Sequence, residues 1–291
     1  MDYNKLFSGI GLSSEGVEIF YALHSRIGEE KFKNCVTEAY AAFQKGNDAF
    51  TEYIRSFSEA EDILPEPLLL YLHILFSEVA YNELSKLGIG EEYFYSSLLD
   101  LEEKCAHNKE EHGVYGVPVD EIPWFRYAMT ATIFQLGRLQ FQIAKSEYDI
   151  EIDGVSIRKG DTCYFVHVPG HAPLTEQACR ESYEMALDFF GKYYGAENLM
   201  CFCYSWLLQP WIADVLKPDC NIIKFKNTFR LIETIESIPH TFRFIFPKQY
   251  EHLEDYPTDK PLRRAAVDRR KNGELVGYGV GVRLINKGVF A

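Results

Sequence analysis

Residues 163–175 read CYFVHVPGHAPLT. An apolar and aromatic run carries His167 and then stops at Pro169-Gly170. Proline withholds a ladder donor and glycine permits backbone angles that other residues avoid, so a strand over 163–168 ends there. Thr175 suits a helix N-cap, and Glu176 suits the first turn, where the helix dipole favours an acid. From Cys179 the helix carries one apolar stripe, Cys179, Tyr183, Ala186, Leu187, Phe190 and Tyr194. Arg180, Glu184, Asp188 and Lys192 lie opposite. A second apolar run, NLMCFCYSW at 198–206, reads as the next strand. A crossover helix of this length joins parallel neighbours, so 163–168 is predicted beside 198–206.

Upstream, Asp153-Gly154 is a strong two-residue hairpin signal between 138–152 and 155–158. With 163–168 these segments predict an antiparallel meander, preceded by a helix over 124–138. Downstream, the pattern predicts a short helix near 208–216 and a strand over 221–234. An apolar segment follows at 241–246, then a basic helix near 259–272 and a final strand over 276–285. Gly277, Gly279 and Gly281 alternate in that last strand, leaving one face bare for close approach by another group. They lack the spacing of a dinucleotide fingerprint. The region before 120 has apolar residues at three- and four-residue spacing and reads as helices. The turn-rich stretch 106–120 is taken as a boundary. The expectation is an α+β chain: a helical N-terminal domain, 1–120, and a mixed β-sheet domain flanked by helices, 121–291.

Charge is uneven. Residues 1–120 hold 22 acidic and 9 basic side chains, whereas 121–291 hold 21 of each. An acidic balance argues against a nucleic-acid partner, because phosphates need clustered Lys and Arg. The basic cluster Arg263, Arg264, Arg269, Arg270 and Lys271 reads as a solvated helix face. The run LLLYLHILF, 68–76, is too short to span a bilayer and reads as a buried helix, so no membrane partner is expected. The start, MDYNKLFSGI, has no export pattern, and the scattered seven cysteines read as reduced core thiols of a cytoplasmic protein. They lack C-x-x-C pairs, and no metal is expected.

Four blocks, FQLGRLQFQ (134–142), 167–190, 204–231 and DRRKNGELVGYGVGVRL (268–284), together resemble an uncharacterised bacterial family classed as acyltransferases. Its members join a helical N-terminal domain to a domain like the GCN5-related N-acetyltransferase (GNAT) fold. The resemblance implies that acyl-CoA or acetyl-CoA is the co-substrate and that a small-molecule or peptide amine is the acceptor. In GNAT enzymes the loop between the fourth strand and the third helix cradles the CoA pyrophosphate with backbone N–H groups, a natural anion site. Here that loop is 169–174. The resemblance therefore places Val168, Gly170, His171 and Thr175 around the cofactor. It also implies a cleft between the strand ends at Val168 and Tyr204 for the pantetheine arm, and a tyrosine after the second strand that protonates the leaving thiolate, a place Tyr204 is near.

On the residues themselves, His167 at the end of a central strand is a candidate base, or else a core histidine bonded to a backbone carbonyl. Ser205 is placed to bond an acyl carbonyl or to cap a helix. Cys203 is a conceivable thiol nucleophile, with core packing the favoured reading. Asn221 is a candidate ligand donor or a turn residue. Arg138 pairs with a buried carboxylate or binds substrate. The loop departs from the usual GNAT phosphate pattern: it has one glycine, and its proline removes a donor. Glu176 sits where an anion would be. That departure supports an alternative, a non-catalytic ligand- or protein-binding protein built on the same fold.

Overall fold

The computed structural model describes residues 2–170, 172–236, 242–246 and 248–290, without the side chains at 29, 30, 243, 289 and 290. The chain folds as two compact units that divide between Gln135 and Leu136.

The first unit is helical: α1 (Tyr3–Gly9), α2 (Ser14–Lys45, broken at Gly28), α3 (Asn47–Glu61), α4 (Pro65–Lys86), α5 (Glu91–Ser96), α6 (Asp100–His112) and α7 (Ile122–Met129). Ser13 caps α2, its Oγ accepting from the Gly16 amide. Pro65 opens α4 at the one end where its missing N–H costs nothing. Helix α4 is apolar all round over 68–76, and Leu68 through Ser77 are all buried, as a central core segment must be. Phe43, Phe50, Phe76 and Phe125 meet there, with ring centroids 5.4–6.2 Å apart. Among the described residues no single helix is long and apolar enough to cross a membrane. The stretch 106–120 is not all turn: α6 runs to His112, and Tyr115 and Val117 are buried.

The second fold element is a mixed six-stranded sheet of order β1–β2–β5–β6–β8–β7, where the strands are β1 (Ile133–Leu136), β2 (Leu139–Lys145), β5 (Thr162–His167), β6 (Leu199–Ser205), β7 (Arg230–Ile235) and β8 (Tyr278–Ile285). Strands β3 (Ile150–Ile152) and β4 (Val155–Ile157) form a separate hairpin with Asp153 and Gly154 at positive φ, as a primed turn requires. The predicted meander is therefore corrected: only β2 pairs with β5, and the hairpin instead packs Ile150, Ile152, Val155 and Ile157 on the sheet face bearing Cys163, Met200 and Phe202. Helix α8 (Glu176–Tyr194) covers the other face, with the Phe190 ring tilted against Tyr164 at 4.4 Å between centroids and Tyr183 edge-on to Phe141. The strand–helix–strand prediction holds: β5 and β6 are parallel neighbours.

Two other segments differ from expectation. The predicted helix 124–138 stops at Met129 and gives way to β1. The predicted strand 221–234 starts instead as α10 (Asn221–Lys226), and only its second half is β7. Beyond it, α11 (Phe242–Ile245) and α12 (Pro261–Lys271) pack with α9 (Ile212–Val215) around Ile212, Phe242, Phe246 and Val267.

The alternating glycines of β8 have a packing cause. A Cβ on Gly279 would lie 2.7 Å from the Leu208 backbone, and one on Gly281 would lie 2.8 Å from Phe229 Cβ. Gly279→Ala is expected to cost about 1–3 kcal/mol, because backbone cannot yield as a side-chain tip can. A urea-unfolding midpoint equal to wild type would contradict this packing.

Candidate functional site

The parallel ladder between β5 and β6 is short. It pairs Tyr164 with Cys201 and Phe165 with Phe202. Beyond that, Val166 and His167 stay with β2, opposite Phe141 and Gln140, while Cys203 to Ser205 stay with β8, opposite Gly281 to Gly279. Past Phe165 and Phe202, each central strand is paired with its outer neighbour. Loop 168–174 and the start of α8 follow β5 directly.

Alternation puts Cys163, Phe165 and His167 on the hairpin face with Gln140 and Gln142. His167 is half-buried, and its Nε2 lies 2.9 Å from Gln142 Oε1. With the carboxamide oxygen accepting, Nε2 carries the proton. This partner of His167 is a side-chain oxygen. Extending the β5–β6 register by two residues sets His167 beside Tyr204 on the same face. The Tyr204 ring packs 5.0 Å from Phe165, and its hydroxyl donates to Glu147 at 3.4 Å. Burial, then the hydrogen bond to Tyr148 and the nearby Glu147, raise its pKa well above the ordinary tyrosine value. Tyr148 in turn donates to Glu233 at 2.6 Å. Tyr204 is therefore a phenol that keeps its proton, the form an acid must have.

The other candidates separate. Ser205 points to the α8 face, and its Oγ accepts from the Leu207 amide at 3.2 Å, capping the turn 206–208. Asn221 does not end a strand; it opens α10. Val168 is half-buried and Gly170 exposed in the loop, and His171 lies outside the described residues. Thr175 caps α8, its Oγ1 accepting from the Ala178 amide at 3.3 Å. Cys203 is fully buried, and its thiol is pushed up to about 12 by that burial, which makes it no nucleophile near neutrality. All seven cysteines are free thiols. Among the described residues no group of three or more His, Cys, Asp or Glu is placed to hold a metal ion.

A cavity of about 160 Å³ opens beside the first turns of α8, lined by Leu174, Cys179, Arg180, Tyr183, Lys224 and Arg283 among others. It includes neither Val168 nor Tyr204. Three cations border it. The Arg283 guanidinium stacks 4.3 Å from the Tyr183 ring. Lys224 lies 3.4 Å from the Glu176 carboxylate, so the acid at the helix start has a cation beside it.

Sequence reasoning missed the role of Arg138. It is buried, and it donates from Nε to the Pro173 carbonyl at 3.1 Å and from Nη2 to the Ala172 carbonyl at 2.6 Å. Its own amide donates to Ser182 Oγ on α8 at 2.7 Å. The signal in the sequence was weak: a lone arginine 34 residues from the loop it holds.

Comparison with known proteins finds solved structures of the same fold. An acyltransferase structure in complex with CoA and 10C-teicoplanin matches with a TM-score of 0.64 and 23% identity, covering 74% of this chain and 65% of that one. An acyltransferase variant in complex with octanoyl-CoA matches with a TM-score of 0.63, 23% identity and the same coverages. An acyltransferase in complex with decanoyl-CoA matches with a TM-score of 0.62 and 21% identity, covering 75% and 65%. The chain thus spans about two thirds of the length of these structures, and at this identity they show a shared fold. No curated protein matches. Residues 1–131 match the N-acyltransferase N-terminal domain. Residues 133–283 match the GNAT-like C-terminal domain, which is more than half of the chain, and the chain belongs to that family.

Proposed function

We propose that the chain is an acyl-CoA-dependent N-acyltransferase acting on an amine of a small molecule or peptide. The observation that carries this reading is the short parallel β5–β6 ladder, which ends shortly before the capped N-terminus of α8. The pantetheine arm would lie along the strand edges past that ladder, and the diphosphate would lie at the α8 N-terminus, where orphan N–H groups and the helix dipole favour an anion. The acyl-CoA complexes of the structurally similar acyltransferases support this placement. The teicoplanin complex supports a small-molecule acceptor.

In this reading the acceptor nitrogen attacks the thioester carbonyl, the C–N bond forms and the C–S bond breaks. His167 takes the proton lost by nitrogen, and Tyr204 gives its phenolic proton to the departing thiolate. The exchange of protons with solvent then restores both. The second reading, a binding protein without catalysis, draws on Pro169 and Pro173, which leave the loop short of donors.

A thermal-shift titration with octanoyl-CoA tests the first reading. A ligand bound only by the native chain at a hundred times its Kd adds about 2.7 kcal/mol of stability, so the melting temperature must rise by several degrees. No rise with octanoyl-CoA, decanoyl-CoA or acetyl-CoA would remove it.

A further inference from the structure

We infer that Arg138 is a positioning residue for the diphosphate of the ligand, acting through the loop it grips; this rests on the acyl-CoA reading above. The guanidinium forks onto two consecutive carbonyls, Ala172 and Pro173. A trans peptide holds its C=O and N–H on opposite sides, and the described chain has no cis peptide. Drawing the Pro173 carbonyl inward to a buried arginine therefore sends the Leu174 N–H the other way, out of the core. The peptide before it offers no donor, because Pro173 has no N–H. Leu174 is thus the one donor that this clamp can aim from the two peptides it holds. It stands next to the first N–H groups of α8, those of Glu176 and Gln177, which a helix leaves unpaired within itself.

The clamp is also fixed to the helix it serves. Ser182 Oγ accepts from the amides of Arg138 at 2.7 Å and Leu139 at 3.3 Å, and donates to the Ala178 carbonyl at 2.8 Å. The β1–β2 turn, the loop and the second turn of α8 are one hydrogen-bonded piece. This supplies by backbone orientation what the loop lacks in glycines. The fork needs a planar donor with several N–H groups, which lysine does not have.

The test compares two ligands on the full chain by titration calorimetry: octanoyl-CoA, and S-octanoyl-pantetheine, which lacks the diphosphate and nucleotide. Arg138→Met is expected to weaken octanoyl-CoA binding by about tenfold or more. Binding of S-octanoyl-pantetheine should stay within about twofold, since the strand edges are untouched. Arg138→Lys, which keeps the charge but only one donor nitrogen, should fall between. It carries the test if the methionine variant does not fold. Equal losses for both ligands, or none for either, would overturn the positioning role alone. A wild-type chain that binds neither ligand overturns the acyl-CoA reading, and this inference with it.

Discussion

Tyr204→Phe is expected to lower kcat for the proposed transfer from octanoyl-CoA to an amine acceptor by on the order of a hundredfold, while the Kd for octanoyl-CoA should stay within about twofold. The lost group is one hydroxyl on the sheet face, and Phe keeps the ring packing against Phe165. A thiolate that leaves without a proton leaves poorly, and the loss falls on the transition state alone. Because burial and its neighbours hold the Tyr204 phenol above the ordinary range, it stays protonated through neutral and mildly alkaline pH. The wild-type rate should therefore show no alkaline decline attributable to this acid below about pH 10. Steady-state kinetics of the two proteins decide the matter. An unchanged kcat in Tyr204→Phe removes the tyrosine from the reaction while leaving acyl-CoA binding to stand on the calorimetry.

The second large effect lies in the helical unit. His73 sits in the middle of α4, 5% exposed, with neither ring nitrogen hydrogen-bonded, and it meets Phe125 edge-on at 4.5 Å. Burial, aided by the charge on Lys104, lowers its pKa to about 3. Above about pH 6.5 the ring is neutral in both folded and unfolded chains, and it adds no pH dependence. Below that, the unfolded chain takes up a proton that the folded chain refuses. Stability then falls by about 1.4 kcal/mol for each pH unit until the folded pKa is reached. His73→Leu removes this slope. It should also stabilise the chain at pH 7 by roughly 1–3 kcal/mol, the cost of two unpaired buried nitrogens. Urea unfolding of both proteins at pH 7 and pH 4.5 checks it: the advantage of the leucine variant should grow by about 3 kcal/mol at the lower pH. An advantage that is the same at both values would mean that the buried ring is protonated or hydrated in the folded chain.

What could be read from the residues was what local physics decides. The path β5, loop, α8, β6 was legible because Pro169-Gly170, the Thr175 cap and an unbroken apolar stripe all speak within a few residues. So was α4, whose apolar run leaves no polar face to expose. The errors fall where tertiary packing overrides local preference. Residues 124–138 carry no proline or glycine where the helix actually ends; it stops at Met129, and Ala131 takes a positive φ. Residues 221–226 are rich in Ile and Phe, good strand formers, yet they coil because Ile223 and Phe225 are buried together and α10 lies along α8. Of the site, the strand end and the cap were visible. The Arg138 clamp was not, because a guanidinium meeting two carbonyls leaves no pattern in the identities of the residues that own them.

The strand order has a consequence for how the chain is made. Strand β8 is the last of the eight to leave the ribosome, yet it lies between β6 and β7 and completes both. Its pairing of Leu199 with Ile285 closes a loop of 86 residues. Until those residues emerge, the aromatic-rich β6 has a raw edge, the feature most prone to pair with a wrong strand. The helical unit is a compact unit of its own within the first 135 residues. A nascent chain would thus carry a finished helical body ahead of an unfinished sheet. The slow, long-range closure by β8 decides when the finished sheet first exists.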